Sequence, residues 1–114
     1  MSNCPFCNII EDNPEYLETN GVGVYHLEPL NPVVPGHRIF IAKDHFAKPH
    51  QGVRVVGNLF AAAAFYGGQQ NEDYNLIVNA GRDASQTVPH VHVHYVPRRE
   101  GDGLHLPWTG QVKS

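Results

Sequence analysis

Residues 89–97, Pro-His-Val-His-Val-His-Tyr-Val-Pro, set three histidines, His90, His92 and His94, at strict alternation. A neutral imidazole is a good nucleophile near neutral pH, and a neighbour in a different environment can keep a proton to donate. Two such rings can divide nucleophile and donor roles on one strand, which suits phosphoryl or nucleotidyl transfer. In an extended segment the three imidazoles share one face and Val91, Val93 and Tyr95 the other, so the valines can pack inward and the imidazoles gather outside. One metal cannot take all three. At about 3.3 Å of rise per residue the outer Cα atoms lie roughly 13 Å apart, against Zn–N bonds of about 2.0–2.1 Å. The competing reading is a set of satisfied surface histidines. It fits an isolated histidine better than a His-x-His-x-His run behind a loop containing Gly, Ser and Thr.

The elements that must hold this row can be read from periodicity and punctuation. The stretch from Cys4 to Ile10 reads as a short N-terminal turn or helix, broken at Pro14. Residues 21–28 alternate as a strand, 37–43 are β-branched and aromatic and read as a second, 73–79 as a third and 90–98 as a fourth. Between them, Val53, Val56, Phe60 and Ala64 recur at spacings of three and four, beside Leu59, Ala62 and Ala63. That pattern predicts a helix from about Val53 to Tyr66, ended by Gly67 and Gly68. The tail after Arg98 reads as irregular. The predicted class is α+β: an antiparallel sheet with one main helix on one face and a short N-terminal helix.

Composition narrows the partners. The 114 residues are 41% hydrophobic and 17% charged, a globular balance, and their length suits a single domain, 1–114. No apolar run reaches the roughly 18–20 residues of a membrane span, and no basic start precedes an apolar stretch, so a cytoplasmic protein with no membrane partner is expected. The formal net charge is −3, without a Lys/Arg cluster. A nucleic acid backbone would be repelled, whereas a small phosphorylated molecule could still be bound by a few local donors.

At this point the chain resembles the histidine triad (HIT) family, whose signature alternates histidines with apolar residues as residues 90–96 do. The resemblance extends to residues 31–45, a Pro/Gly turn leading to a histidine, a strand and Lys-x-His, and to 79–94, Asn-x-Gly followed by Gln-Thr and the triad. It also takes in Cys-Pro-Phe-Cys at 4–7 and the tail to Trp108. It implies the HIT fold and a nucleotide hydrolase that cleaves a nucleoside phosphoramidate or dinucleoside polyphosphate at the α-phosphorus through a nucleotidyl-histidine. His92 would be the nucleophile, His94 the ligand of phosphate oxygen or donor to the leaving group, and His37 a further active-site histidine. Asn79 would orient phosphate or ribose, and Ser85, Gln86 and Thr87 would bind phosphate, consistent with the ability of small polar residues before a strand to present N–H groups to an anion. The run at 29–32 departs from the family: Pro29 stands where an Asp usually holds the ribose hydroxyls. Glu28 is the candidate substitute, with Leu30 beside it in the nucleotide-binding set. The segment from His45 to Asn79 is short for the family, suggesting a smaller helix or a more open core.

Cys4 and Cys7 have C-x-x-C spacing, which lets two thiolates reach one metal, and with only two cysteines any further protein ligands must be of another type. Reduced thiols are the plain alternative, and a redox dithiol is disfavoured by the lack of thioredoxin-like context. The family resemblance implies a structural zinc on Cys4, Cys7, His45 and His90. It also implies a purine nucleotide or nucleotide conjugate as ligand and a homodimer in which His105 and Trp108 approach the partner's site. His26 and His50 read as surface or packing residues. Two other readings stay open: a non-catalytic nucleotide- or metal-binding module on the same fold, and a cupin-like metal enzyme.

Overall fold

The structure, a computed structural model, describes residues 3–19 and 23–108. Helix α1 spans Pro5–Asp12 and α2 Val53–Gln70. The strands are β1 (Glu18–Thr19), β2 (Val24–Leu27), β3 (Arg38–Ala42), β4 (Asp73–Val78) and β5 (His92–Arg98). They form one antiparallel sheet in the order β1-β2-β3-β5-β4. This is the α+β architecture expected.

The two faces of the sheet follow from alternation. On one, Val24, Phe40, Ala42, Val93 and Tyr95, with Val91 just before β5, pack against Leu59 and Ala63 of α2. The other carries Ile41 beside His92 and Ile39 beside His94 across the β3–β5 ladder, with Leu27 and Ile77 on the outer strands. The valines of the histidine row do pack inward. The imidazoles do not stand outside: His90 is 0% and His92 5% exposed, because α1 lies over that face and brings Phe6 onto both rings.

Several boundaries move. The expected strand at 21–28 is formed at 24–27, with positions 21 and 22 outside the described residues, and the strand expected from His90 begins at His92. The short strand β1 had no sequence signal, being only two residues long. Helix α2 turns the expected face only in part: Leu59, Ala63 and Gly67 are buried and Val56, Phe60 and Ala62 pack against the core, while Val53 and Ala64 are exposed. It runs through both glycines to Gln70, where Asn71 closes it in the left-handed conformation at φ 54°. At 18 residues it is not the shortened helix the segment length suggested.

Gly67 stays helical because it is a packing device. A Cβ there would lie 2.5 Å from Cζ of Tyr74, whereas one at Gly68 would meet nothing within 4 Å. Gly67→Ala is therefore expected to destabilise by about 1–3 kcal/mol through overpacking. Gly68→Ala should stabilise by up to about 1 kcal/mol, the helix-propensity gain. Urea unfolding of the two variants side by side checks the contrast; equal effects would contradict the close approach of α2 to Tyr74.

The tail after β5 is irregular, as expected, but tethered. Arg98 donates to both carboxylate oxygens of Asp102 (2.8 and 3.1 Å), to the Leu104 carbonyl (2.9 Å) and to Asn75 Oδ1 (2.7 Å). Among the described residues no helix is long and apolar enough to cross a membrane.

Candidate active site

Each histidine of the row has its own tautomer, set by the bond its second nitrogen makes. His92 Nδ1 lies 2.8 Å from the His90 carbonyl, to which only an N–H can donate, so Nε2 carries the lone pair. The Val33 N–H donates to His37 Nδ1 (3.2 Å), which places the proton of His37 on Nε2. That nitrogen is 3.0 Å from His94 Nδ1 and donates to it, which leaves His94 with a proton on Nε2. The outcome is a lone pair on His92 next to an N–H on His94, with ring centroids 5.0 Å apart.

Burial keeps these rings neutral. Desolvation lowers the proton affinity of His92, against the opposing effect of its bond to the His90 carbonyl. His94 is held down to about 4, by burial first and then by the neighbouring His92 and His37 rings. His37 is lowered by burial alone, and His26 by burial and Arg38 against the pull of Glu18. The folded chain thus keeps neutral imidazoles that the unfolded chain protonates near pH 6.5. Below that pH the unfolded state binds more protons, so stability is fully present above about pH 6.5 and is lost progressively as pH falls toward 4. Thermal midpoints across that window, with proton uptake on unfolding, check this; a flat profile would refute the neutral assignment.

His92 and His94 open onto a cleft of about 680 Å³. Phe6, Ile9 and Tyr16 line it from α1 and the turn after it, Leu27 and Ile39 from the sheet, Glu28, Pro29 and Leu30 from the segment after β2, and Thr87 and Val88 from the loop before β5. Leu30 is 99% exposed. The remaining loop residues serve the loop. Gln86 accepts from the Gly81 N–H (2.8 Å) and donates to the carbonyls of Val88 (3.0 Å) and Ala47. Gly81 holds φ 93°, and Ser85 the left-handed φ 69°. Asn79 Nδ2 donates to the Ser85 carbonyl at 3.5 Å. Of the four polar residues expected around the phosphate, only Thr87 lines the cleft, and His37 reaches it through His94.

The fourth feature is a Cys/His cluster. One ligand atom from each of Cys4, Cys7, His45 and His90 lies within 4.8 Å of all the others. His90 Nε2 donates to the Ala42 carbonyl (2.9 Å), so its Nδ1 is a lone pair, and on it converge Cys4 Sγ (3.3 Å), His45 Nδ1 (3.1 Å) and Cys7 Sγ (3.5 Å). Cys7 Sγ is 3.2 Å from His45 Nδ1. Tetrahedral bonds of about 2.0–2.3 Å put neighbouring ligands about 3.3–3.8 Å apart, close to these spacings. A protein carbonyl behind a ligating imidazole is the usual orienting partner. The donor set fits zinc, and it takes His90 out of the row, which meets the distance limit on a shared metal.

Sequence reasoning passed over Phe6, whose ring stands edge-on to His92 at 5.1 Å, and the Glu18–Arg38–His26 group on the α2 side. The position of Phe6 between the two cysteines was its only signal. His26 is a packing residue, stacked on Phe40 at 4.6 Å, and His50 and His105 are exposed.

An antiparallel α+β domain with one imidazole row divided between a Cys/His cluster and an apolar cleft defines a recognisable class. The HIT domain family model matches residues 22–101, and the chain belongs to that family. It is 31% identical over 112 residues to an adenosine 5'-monophosphoramidase of Saccharomyces cerevisiae, covering 95% of this chain and 71% of the relative. A histidine triad nucleotide-binding protein from Candida albicans superposes with a TM-score of 0.73 at 27% identity, over 97% of this chain and 86% of the other. A Zn-bound histidine triad family protein from Mycobacterium smegmatis does so with a TM-score of 0.67 at 32% identity, over 90% and 80%. Family membership sets the cupin-like reading aside.

Proposed function

We propose that the protein is a nucleotide hydrolase that cleaves a nucleoside phosphoramidate or a dinucleoside polyphosphate at the α-phosphorus through a nucleotidyl-His92. The observation that carries this is the His92 Nδ1–His90 carbonyl bond, which commits the proton to one side of the ring and leaves Nε2 as a lone pair in the cleft. Nε2 attacks phosphorus, a P–N bond forms, and the bond to the leaving group breaks. The His90 carbonyl then faces an imidazolium, whose Nδ1–H it stabilises. His94 Nε2–H, held by the His37 relay, donates to a phosphoryl oxygen. A phosphate leaving group departs as an anion; an amine departs after taking up a proton from the medium. Water then attacks the same phosphorus and gives up a proton to the medium, the P–N bond breaks with its electron pair returning to Nε2, and the nucleoside monophosphate is released.

The apolar walls formed by Phe6, Ile9, Leu27 and Ile39 suit a planar purine, and Glu28 supplies the carboxylate for sugar hydroxyls. Asn79, Ser85 and Gln86 shape the phosphate loop, and Thr87 offers its hydroxyl. Cys4, Cys7, His45 and His90 hold a structural zinc; when bound it ties α1 to the sheet. A homodimer belongs to this reading, with Trp108, 74% exposed, at its interface. The yeast monophosphoramidase supports the substrate class.

Intact mass after incubation with adenosine 5'-phosphoramidate tests the proposal. An added adenylyl mass with release of AMP is expected. A chain that binds AMP yet neither acquires the mass nor turns over would be a non-catalytic module.

A further inference from the structure

Phe6 occupies an unusual place. It lies in the first turn of α1 with Cys7 beside it and Cys4, the helix cap, two residues before; the Cys7 N–H donates to Cys4 Sγ at 3.4 Å. Both flanking thiols reach across to histidines on the sheet side, Cys4 to His90 and Cys7 to His45 and His90. From that anchored position the Phe6 ring stands edge-on to His90 (5.7 Å, 86°) and to His92 (5.1 Å, 78°), and also lines the cleft. The one hydrogen bond described for the His92 ring is to the His90 carbonyl, so ring contacts on its flanks must hold the rotamer. Phe6 supplies one of them and His94 another.

We propose that Phe6 is a positioning residue that couples the Cys4/Cys7/His45/His90 cluster to the nucleophile: metal in the cluster fixes the first turn of α1, and Phe6 passes that constraint to the His92 ring and the cleft wall. The coupling rests on the functional reading above only for the role of His92; the packing relation stands without it. A release of the two thiols frees the backbone on both sides of Phe6. The ring then loses its fixed approach, His92 loses a flank, and the wall facing Leu27 and Ile39 loosens. Zinc therefore acts on nucleotide affinity without touching the nucleotide.

The test uses the full chain and needs no turnover. AMP binding is measured by calorimetry on zinc-loaded and chelator-treated protein, and the His92 ring is followed by 15N NMR of its imidazole nitrogens. In the wild type, removal of zinc is expected to weaken AMP binding about tenfold and to broaden or average the His92 signals. Zinc-loaded Phe6→Ala keeps all four ligands, so it should fold. It is expected to show the same tenfold loss and averaged His92 signals, with no further loss of affinity on chelation, while Phe6→Tyr should restore most of the response. AMP affinity indifferent to zinc in the wild type overturns the coupling. So does a Phe6→Ala protein with wild-type His92 signals or an undiminished response to zinc. Adenylylation of His92 alongside either result would overturn the coupling while leaving the hydrolase reading intact; absence of both AMP binding and adduct overturns both.

Discussion

His92→Asn is expected to abolish the adenylyl adduct and to lower AMP release by about 10⁴- to 10⁶-fold, the range for removing a nucleophile from a unit of cooperating residues. Asparagine is chosen because its Nδ2 can donate to the His90 carbonyl as His92 Nδ1 does, so the 2.8 Å bond in the buried interior survives while the reactive Nε2 is lost. The variant should bind AMP within a fewfold of the wild type and melt within a few degrees of it. That combination separates loss of chemistry from loss of fold. Intact mass and AMP release from adenosine 5'-phosphoramidate are the measurements, and an adduct that persists in the variant removes His92 from the nucleophile's role.

Loss of the Cys/His cluster is the second large effect. Four candidate ligands, from the cap and first turn of α1, the segment after β3 and the second residue before β5, would tie together chain positions far apart in sequence, from Cys4 to His90. A metal that binds the folded form alone stabilises it by about 4 kcal/mol at a free concentration a thousandfold above its Kd. At about 2.1 cal/mol/K per residue of unfolding entropy, that corresponds to a Tm about 17 °C higher for a chain of this length. The double variant Cys4→Ser, Cys7→Ser is expected to melt about 17 °C below the zinc-loaded wild type and to be insensitive to chelator. Scanning calorimetry with and without chelator, with zinc content by elemental analysis, provides the check; a wild type that binds no zinc and melts with the variant would leave the cluster as hydrogen-bonded thiols and imidazoles.

Much of the fold was legible because it rests on short-range rules. The alternation of Val91, Val93 and Tyr95 with the histidines places the apolar set on the α2 side, and it lies there. The i, i+3, i+4 recurrence after Val53 gives a helix at the right place and most of its packed face, but not its end: Gly67 reads locally as a stop, while the ring of Tyr74 leaves no room for a Cβ there. The two-residue β1 has no local signature and exists through pairing with β2.

The site divides in the same way. The sequence by itself determined that three imidazoles alternate along one extended segment, that no single metal can take them all, and that two thiols three residues apart can reach one metal, since spacing along an extended chain or one helical turn is a local quantity. Only the tertiary structure decided which histidine joins the thiols, which nitrogen of each ring holds its proton, that Gln86 braces the loop, and that Phe6 lies over His92. Several of those depend on groups brought from far along the chain, the Ala42 carbonyl behind His90 and the His37 ring against His94. No periodicity records them, because a hydrogen bond selects a tautomer only after the sheet has closed.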